Sequence, residues 1–314
     1  MSVPIKITAI VCTYNRSEKL AATIESLVAQ TLPRSQTWEI LVVDNNSSDG
    51  TRHVVERFRR QHPERIRYLM ESQQGVSYAR NTGIRESRGE ILAFIDDDET
   101  AGTAWLQNLT ANLFSGDWAG AGGRVLPLWD VSRPQWLHPE SSLVSGPMAA
   151  FDLNQGPGPL TEPPFGANMA FRREVFEKYG GFRTDLGRAG TSLISNEDTE
   201  FGRRLLAARQ PLRYEPSAIT YHPVEETRLH PEYFLTWWFN KGRSDIREFK
   251  GQPSGKQFFG VPLRLIRSFA VQLVRWMFAI EVSQRFSRKV DLWNCAGQVL
   301  EFSSQWRATK NGEG

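Results

Sequence analysis

The densest chemistry in this chain lies in "ILAFIDDDET", Ile91 to Thr100, where five apolar residues run straight into four carboxylates. A short continuous apolar run marks a strand covered on both faces, as in parallel sheets flanked by helices. Asp96, Asp97, Asp98 and Glu99 then stand at its carboxyl end, where open α/β sheets place their ligands. Side chains alternate along an extended chain, which sets Asp96 and Asp98 on one side and Asp97 on the other. Paired carboxylates repel unless a positive charge lies between them, and a hard divalent cation that also holds phosphate is a natural partner. Spacing alone leaves a solvated acidic turn open, and Asp97 with Glu99 offers a second register.

Other residues carry chemistry of their own. In "NEDTEF", Asn196 suits a helix cap, with Phe201, Leu205 and Leu206 at helical spacing and Glu197 and Asp198 in the positive first turn. Acids are common there, so the position fits either a stable helix start or a base. Arg80 in "ARNTG" lies on a predicted helix and offers a planar fork to a diphosphate or base carbonyl, or simply a surface charge. Tyr14 in "TYN" can stack on a flat base, and Asp44 is either an acceptor for a nucleoside or a turn aspartate. "FGANMAF" reads as a glycine-containing loop between a proline pair and a helix, which lets backbone and Asn168 approach a ligand closely.

The elements that must position these residues alternate strand and helix over the first hundred residues, the pattern of βαβ units. "ITAIVC", "EILVV", "IRYLME" and "ILAFI" read as strands. A helix stripe runs through Leu20, Ile24, Leu27 and Val28, with Asn15 and Glu18 as its capping pair. Thr13 to Asn15, Asp44 and Asp96 therefore fall at strand carboxyl ends and should line one crevice. Beyond Glu99 come a helix from "AWLQNL", a glycine-rich strand "AGAGGRVLP", a segment from Trp129 to Pro164 without clear periodicity, and a strand around "LRYEPSAITYH" that ends at His222.

"IVCTYNR", "LVVDNNSSDGT", "ARNTGI", "AFIDDDE", "FGANMAFRREVFEKYGGF", "NEDTEFGRRL" and "ITYHP" occur in that order, over roughly residues 5 to 225. This series resembles glycosyltransferase family 2, inverting enzymes of the glycosyltransferase A fold. The resemblance implies a Rossmann-like, mostly parallel α/β sheet with helices on both faces and a helical C-terminal extension. It implies transfer of a sugar from a nucleotide-diphosphate donor to a hydroxyl, with inversion and a bound Mg²⁺ or Mn²⁺. It places the donor against Thr13, Tyr14, Asn15, Arg16, Asp44, Asn45, Arg80, Asp96, Asp97, Gly166 and Asn168. It assigns metal contact to Asp98, His222 and Asp96, makes Asp198 the general base, and leaves Glu197 to orient the acceptor or a nearby cation. Residues 1–100 would form the nucleotide-sugar half of the catalytic domain, 101–225 its acceptor and base half, and 226–314 a helical region. The family usually has glycine before its acidic pair, where this chain has Asn196, and often proline before the Trp-Leu pair, where this chain has Ala104.

Composition narrows the class. The chain has 314 residues, and Lys and Arg exceed Asp and Glu by three charges, so a nucleic-acid partner is not expected. Two distant cysteines form neither a disulfide framework nor a zinc site. The start carries no secretory pattern, and no stretch of about twenty residues is uncharged, so a cytoplasmic enzyme is expected. In "VPLRLIRSFAVQLVRWMFAI", Arg264, Arg267, Ser268, Gln272 and Arg275 share a helical face and apolar residues fill the rest. Such a helix lies on an anionic membrane through 258–289, with Trp276 and Phe278 buried in lipid, or packs on the catalytic core. The acceptor would be a lipid-linked or cell-surface glycan. Two rival readings are a sugar-phosphate nucleotidyltransferase, which wants a glycine-rich loop that "CTYNRSEK" lacks, and a silent glycan-binding scaffold, which needs neither acidic group.

Overall fold

The computed structural model describes residues 4–129, 131–132, 134, 136–137, 146–249 and 255–311. The first half alternates β1 (Ile7–Thr13), α1 (Ser17–Val28), β2 (Trp38–Asp44), α2 (Thr51–Gln61), β3 (Ile66–Met70), α3 (Val76–Glu86) and β4 (Ile91–Asp96). The strands pair in parallel in the order β3-β2-β1-β4. Their apolar runs are continuous because both faces are covered. Ala9, Val11, Ile40, Val42, Ala93 and Ile95 join one core with Leu20, Ile24 and Trp105, while Ile10, Leu41, Val43, Leu92 and Phe94 join a second with Phe171, Phe176 and Phe201. Register fixes what matters for chemistry: Thr13 lies opposite Asp44, and Cys12 opposite Asp96. The three strands thus end at one level, and their exit loops meet.

The second half adds β5 (Thr100–Ala101), α4 (Trp105–Ser115), β6 (Gly120–Leu128), β7 (Gly158–Pro159), β8 (Asn168–Arg172), α5 (Arg173–Tyr179), α6 (Glu197–Ala207) and β9 (Leu212–Pro223). Here the sheet turns mixed: β8 runs antiparallel between β4 and β6, and β9 runs parallel to β6. The expected loop at "FGANMAF" is therefore a strand from Asn168 onward. Met169, Ala170 and Phe171 are fully buried, and by pairing with β4 they cover what would otherwise be an open sheet edge.

These elements make one compact unit of Met1–Leu128, Ala149–Gly190 and Glu197–Pro223; a second comprises Trp129–Met148, Thr191–Asn196 and Val224–Gly314. Of the Trp129 to Pro164 segment, 130, 133, 135 and 138–145 lie outside the described residues. The second unit holds α7 (Pro231–Glu248), the hairpin β10 (Gln257–Phe258) and β11 (Val261–Pro262), α8 (Leu263–Met277) and α9 (Val282–Asn311). α7 and α9 approach so closely that a Cβ at Gly242 would lie 2.1 Å from the Asn294 carbonyl oxygen. Buried Glu301 on α9 accepts from Arg243 at 3.1 Å and Arg247 at 2.6 Å on α7. Among the described residues, no helix is long and apolar enough to cross a membrane.

Candidate active site

The strand ends gather the acids as expected, but their charge is already partnered. β4 stops at Asp96, so the alternation predicted for Asp96, Asp97 and Asp98 is broken by a turn. Asp97 and Asp98 both face Arg16, whose Nη1 donates to Asp97 Oδ1 at 3.2 Å and to Asp98 Oδ2. Burial pushes the Asp97 carboxyl up to about 7, with Arg16 pulling the other way and Asp98 adding to the rise. From β9, separated from β4 in the sheet by β8 and β6, His222 brings Nε2 to 3.6 Å from Asp98 Oδ2. Its Nδ1 is buried with no hydrogen-bond partner among the described residues.

Arg80 is neither a surface charge nor an exposed fork. It is buried on α3, where Nη1 donates to Glu197 at 2.6 Å and Nη2 to Asp96 at 3.3 Å and to the Gly166 carbonyl at 3.2 Å. One guanidinium thus bridges the strand-end acids and the acidic pair of α6. Burial raises the Glu197 carboxyl to about 7, opposed by Arg80 and reinforced by Asp198. Asp198, partly exposed, takes the Gly166 N–H at 2.7 Å on Oδ2 and the Thr199 N–H at 2.7 Å on Oδ1. A carboxylate has about four lone-pair sites, so both oxygens keep accepting capacity for a substrate hydroxyl. Gly166 leaves room for this contact: a Cβ there would fall 2.5 Å from Asp198 Oδ2 and push that carboxylate away. The lack of a side chain at this glycine thus lets the backbone approach Asp198.

Asn196 does not cap α6 through its side chain. Its φ of 77° is the left-handed conformation that glycine adopts and asparagine tolerates, which accounts for asparagine at the usual glycine position. Its amide donates to Asp245 at 2.9 Å and Glu248 at 2.7 Å on α7 and accepts from Lys241 at 3.1 Å.

The remaining candidates divide by what their side chains already hold. Tyr14 is exposed, and Thr13 is buried beside it. Asn15, φ 51°, accepts from the Ser48 N–H at 2.7 Å and so links the β1 and β2 exit loops; it does not cap α1, where the Ser17 N–H is taken by Asp49 at 3.0 Å. Asp44 is buried and accepts from Tyr68 Oη at 2.8 Å and the Ser47 N–H at 2.9 Å. Asn45 spends its amide on the 71–75 loop: it donates to the Glu71 and Gln73 carbonyls and accepts from Gly75 N–H and Gln74. Asn168 is fully buried, accepting from Trp105 Nε1 at 2.8 Å and donating to the carbonyls of Arg124 and Ala218, both at 2.8 Å. It pins the β6/β9 register shift at Gly123/Arg124, a structural post where a sugar contact was expected.

Sequence reasoning missed the partners: Arg16 for Asp97 and Asp98, Tyr68 for Asp44, and Arg80 for Glu197. The first had a signal, since the exit loops of β1 and β4 must lie side by side once those strands pair. The donor set fits a divalent cation. An Asp98 oxygen would suit either Mg²⁺ or Mn²⁺, and a His222 nitrogen beside it would suit Mn²⁺ better than Mg²⁺. Among the described residues no three His, Cys, Asp or Glu side chains converge to cage a metal.

The parallel half, the antiparallel β8 and the acids at the end of β4 are the glycosyltransferase A fold, and comparison with solved structures agrees. The mannosyltransferase PcManGT of Pyrobaculum calidifontis, in complex with GDP-Man and Mn²⁺, superposes with a TM-score of 0.57 at 20% identity, over 99% of this chain and 78% of that one. S. aureus TarS 1–349 in complex with UDP gives 0.51 at 17% identity, over 98% and 92%. Residues 8–180 match the model of Glycosyl transferase family 2, and the chain belongs to that family. Succinoglycan biosynthesis protein ExoM of Rhizobium meliloti is 29% identical over 76% of this chain and 73% of its own length. The glucosyl-dolichyl phosphate glucuronosyltransferase of Haloferax volcanii is 28% identical over 74% of each. The protein is a glycosyltransferase.

Proposed function

We propose that this glycosyltransferase moves a sugar from a UDP-, GDP- or dTDP-linked donor to a hydroxyl of a lipid-linked or polysaccharide acceptor, with inversion at the anomeric carbon. The observation that carries the reading is the separation of two acidic groups, Asp97/Asp98 with His222 and Glu197/Asp198, joined through Arg80 and Asp96. One group suits the leaving diphosphate; the other suits the attacking hydroxyl. Tyr14 offers its exposed ring to the base. Asp198, oriented by Gly166 and Thr199, takes the hydroxyl proton as the oxygen bonds to the anomeric carbon and the carbon–oxygen bond to phosphate breaks. Glu197, which accepts from Arg80, orients the acceptor or that neighbouring cation. Asp98 and His222, with Asp96, would hold a Mg²⁺ or Mn²⁺ ion, and that ion would supply Lewis-acid neutralisation of the diphosphate. The names of the solved relatives, which carry GDP-Man with Mn²⁺ and UDP, support such a donor. A panel of UDP-, GDP- and dTDP-sugars, with Mn²⁺, Mg²⁺ or EDTA, tests the reading through nucleotide release: metal-dependent release from one donor class is expected, and none from any would refute it.

The second unit adds an attachment to the cytoplasmic face of a membrane. Outside its arginine face, α8 carries apolar residues on two surfaces. Leu265, Ile266, Phe269, Leu273 and Trp276 are partly covered, whereas Leu263, Val271, Val274, Met277 and Phe278 are exposed beside Arg264, Arg267 and Arg275. Trp276, expected in lipid, is thus on the covered side, and Phe278 is 76% exposed. Phe258, Phe259, Ile280 and Val282 extend the exposed apolar set. An anionic bilayer matches both the greasy strip and its arginine border. Replacing Arg264, Arg267 and Arg275 with Gln should weaken vesicle binding by about 1 kcal/mol per charge, and salt should weaken the wild type similarly. Co-sedimentation with anionic vesicles at low and high salt checks this; wild type that never sediments would exclude the membrane.

A further inference from the structure

Arg16 stands where the proposed cation would have to act. It is the residue before α1, outside the helix, and its side chain is 32% exposed over carboxylates that are only 9% and 8% exposed. Its Nη1 reaches both Asp97 and Asp98, and the Asp98 atom it meets, Oδ2, is the same one that lies 3.6 Å from His222 Nε2. A guanidinium and a divalent cation on one oxygen repel each other, so the two compete for Asp98. The backbone of the loop is tied down, with Asn15 bonded to Ser47 and Ser48, but the arginine side chain can rotate on it. A nucleotide diphosphate would offer the displaced fork a geometrically matched anion.

We propose that Arg16 is a displaceable counter-ion that keeps the cation site closed: it neutralises Asp97 and Asp98 until metal and diphosphate arrive together, then turns to the diphosphate. The inference rests on the metal reading above. It makes metal binding contingent on donor binding, so that the acids do not hold a cation idle, and it gives the buried like charges at the end of β4 a counter-ion in Arg16.

The test counts bound Mn²⁺ by electron paramagnetic resonance in the full chain, without nucleotide and with UDP or GDP. Arg16→Gln should bind Mn²⁺ alone about tenfold more tightly than wild type, within the range usual for coupled sites. The nucleotide should then add less to Mn²⁺ affinity than it does in the wild type. Arg16→Lys keeps the charge but cannot fork across two carboxylates, so it should lie between the two. This variant also carries the test if removing the charge prevents folding. Mn²⁺ binding that is no tighter in either variant, with nucleotide-supported binding intact in wild type, overturns the role of Arg16 and leaves the metal reading standing. Absence of Mn²⁺ binding to wild type even with UDP or GDP overturns both.

Discussion

Asp198→Asn should lower turnover by about 10² to 10⁴ while donor binding stays nearly intact, the range typical of a lost general base. The asparagine keeps the side chain's shape but cannot take the hydroxyl proton. The structure adds a cost that shape alone hides. Both Asp198 oxygens accept backbone N–H groups, from Gly166 and Thr199, so an amide nitrogen must face one donor with another. Such a mismatch costs about 1–3 kcal/mol. Thermal unfolding should therefore show modest destabilisation, and turnover should be compared per folded molecule under conditions where chemistry limits the rate. Near-normal turnover of folded protein would remove Asp198 from the role of base.

Asp98→Ala should abolish transfer by a different route, the loss of metal-dependent nucleotide binding. Outer partners of metal ligands cost about 10- to 100-fold in affinity or activity, and a direct ligand should exceed that. The expectation no longer rests on acids lacking a counter-charge, because Arg16 supplies one. It rests on Asp98 being the acid that meets His222. Asp97→Asn is the matching control, since it removes the charge beneath the other Arg16 contact and no contact to His222; nucleotide binding should keep its metal dependence there. Calorimetry that finds unchanged affinity and metal stoichiometry in Asp98→Ala would place the cation elsewhere.

The parallel half was legible because runs such as "ILAFI" and "ILVV" admit few other readings, and pairing them puts Thr13, Asp44 and Asp96 at one level. β8 was not, because "NMAF" follows Pro163, Pro164 and Gly166, whose turn-forming character outweighs a four-residue apolar run. Alternation failed after Asp96 because it holds only while the strand lasts. The dual character of α8 stayed hidden for a related reason: a helix apolar on most of its surface does not announce which stripe meets α9 and which meets solvent. Hydrogen-bond saturation was the least legible property. Asn168 is spent on Trp105, Arg124 and Ala218, residues distant in sequence that only the folded sheet brings together. Asn196 shows the opposite case, a departure from the family pattern whose positive φ makes physical sense of the substitution.

The central claim is a single displacement in which a hydroxyl, deprotonated by Asp198, attacks opposite the departing diphosphate. The anomeric configuration of the glycoside formed from an α-linked nucleotide sugar tests it, read from the one-bond carbon–proton NMR coupling at the anomeric position of the product. The account predicts a β-linked product from wild type. An α-linked product would mean retention, and would contradict Asp198 as the base of a direct displacement.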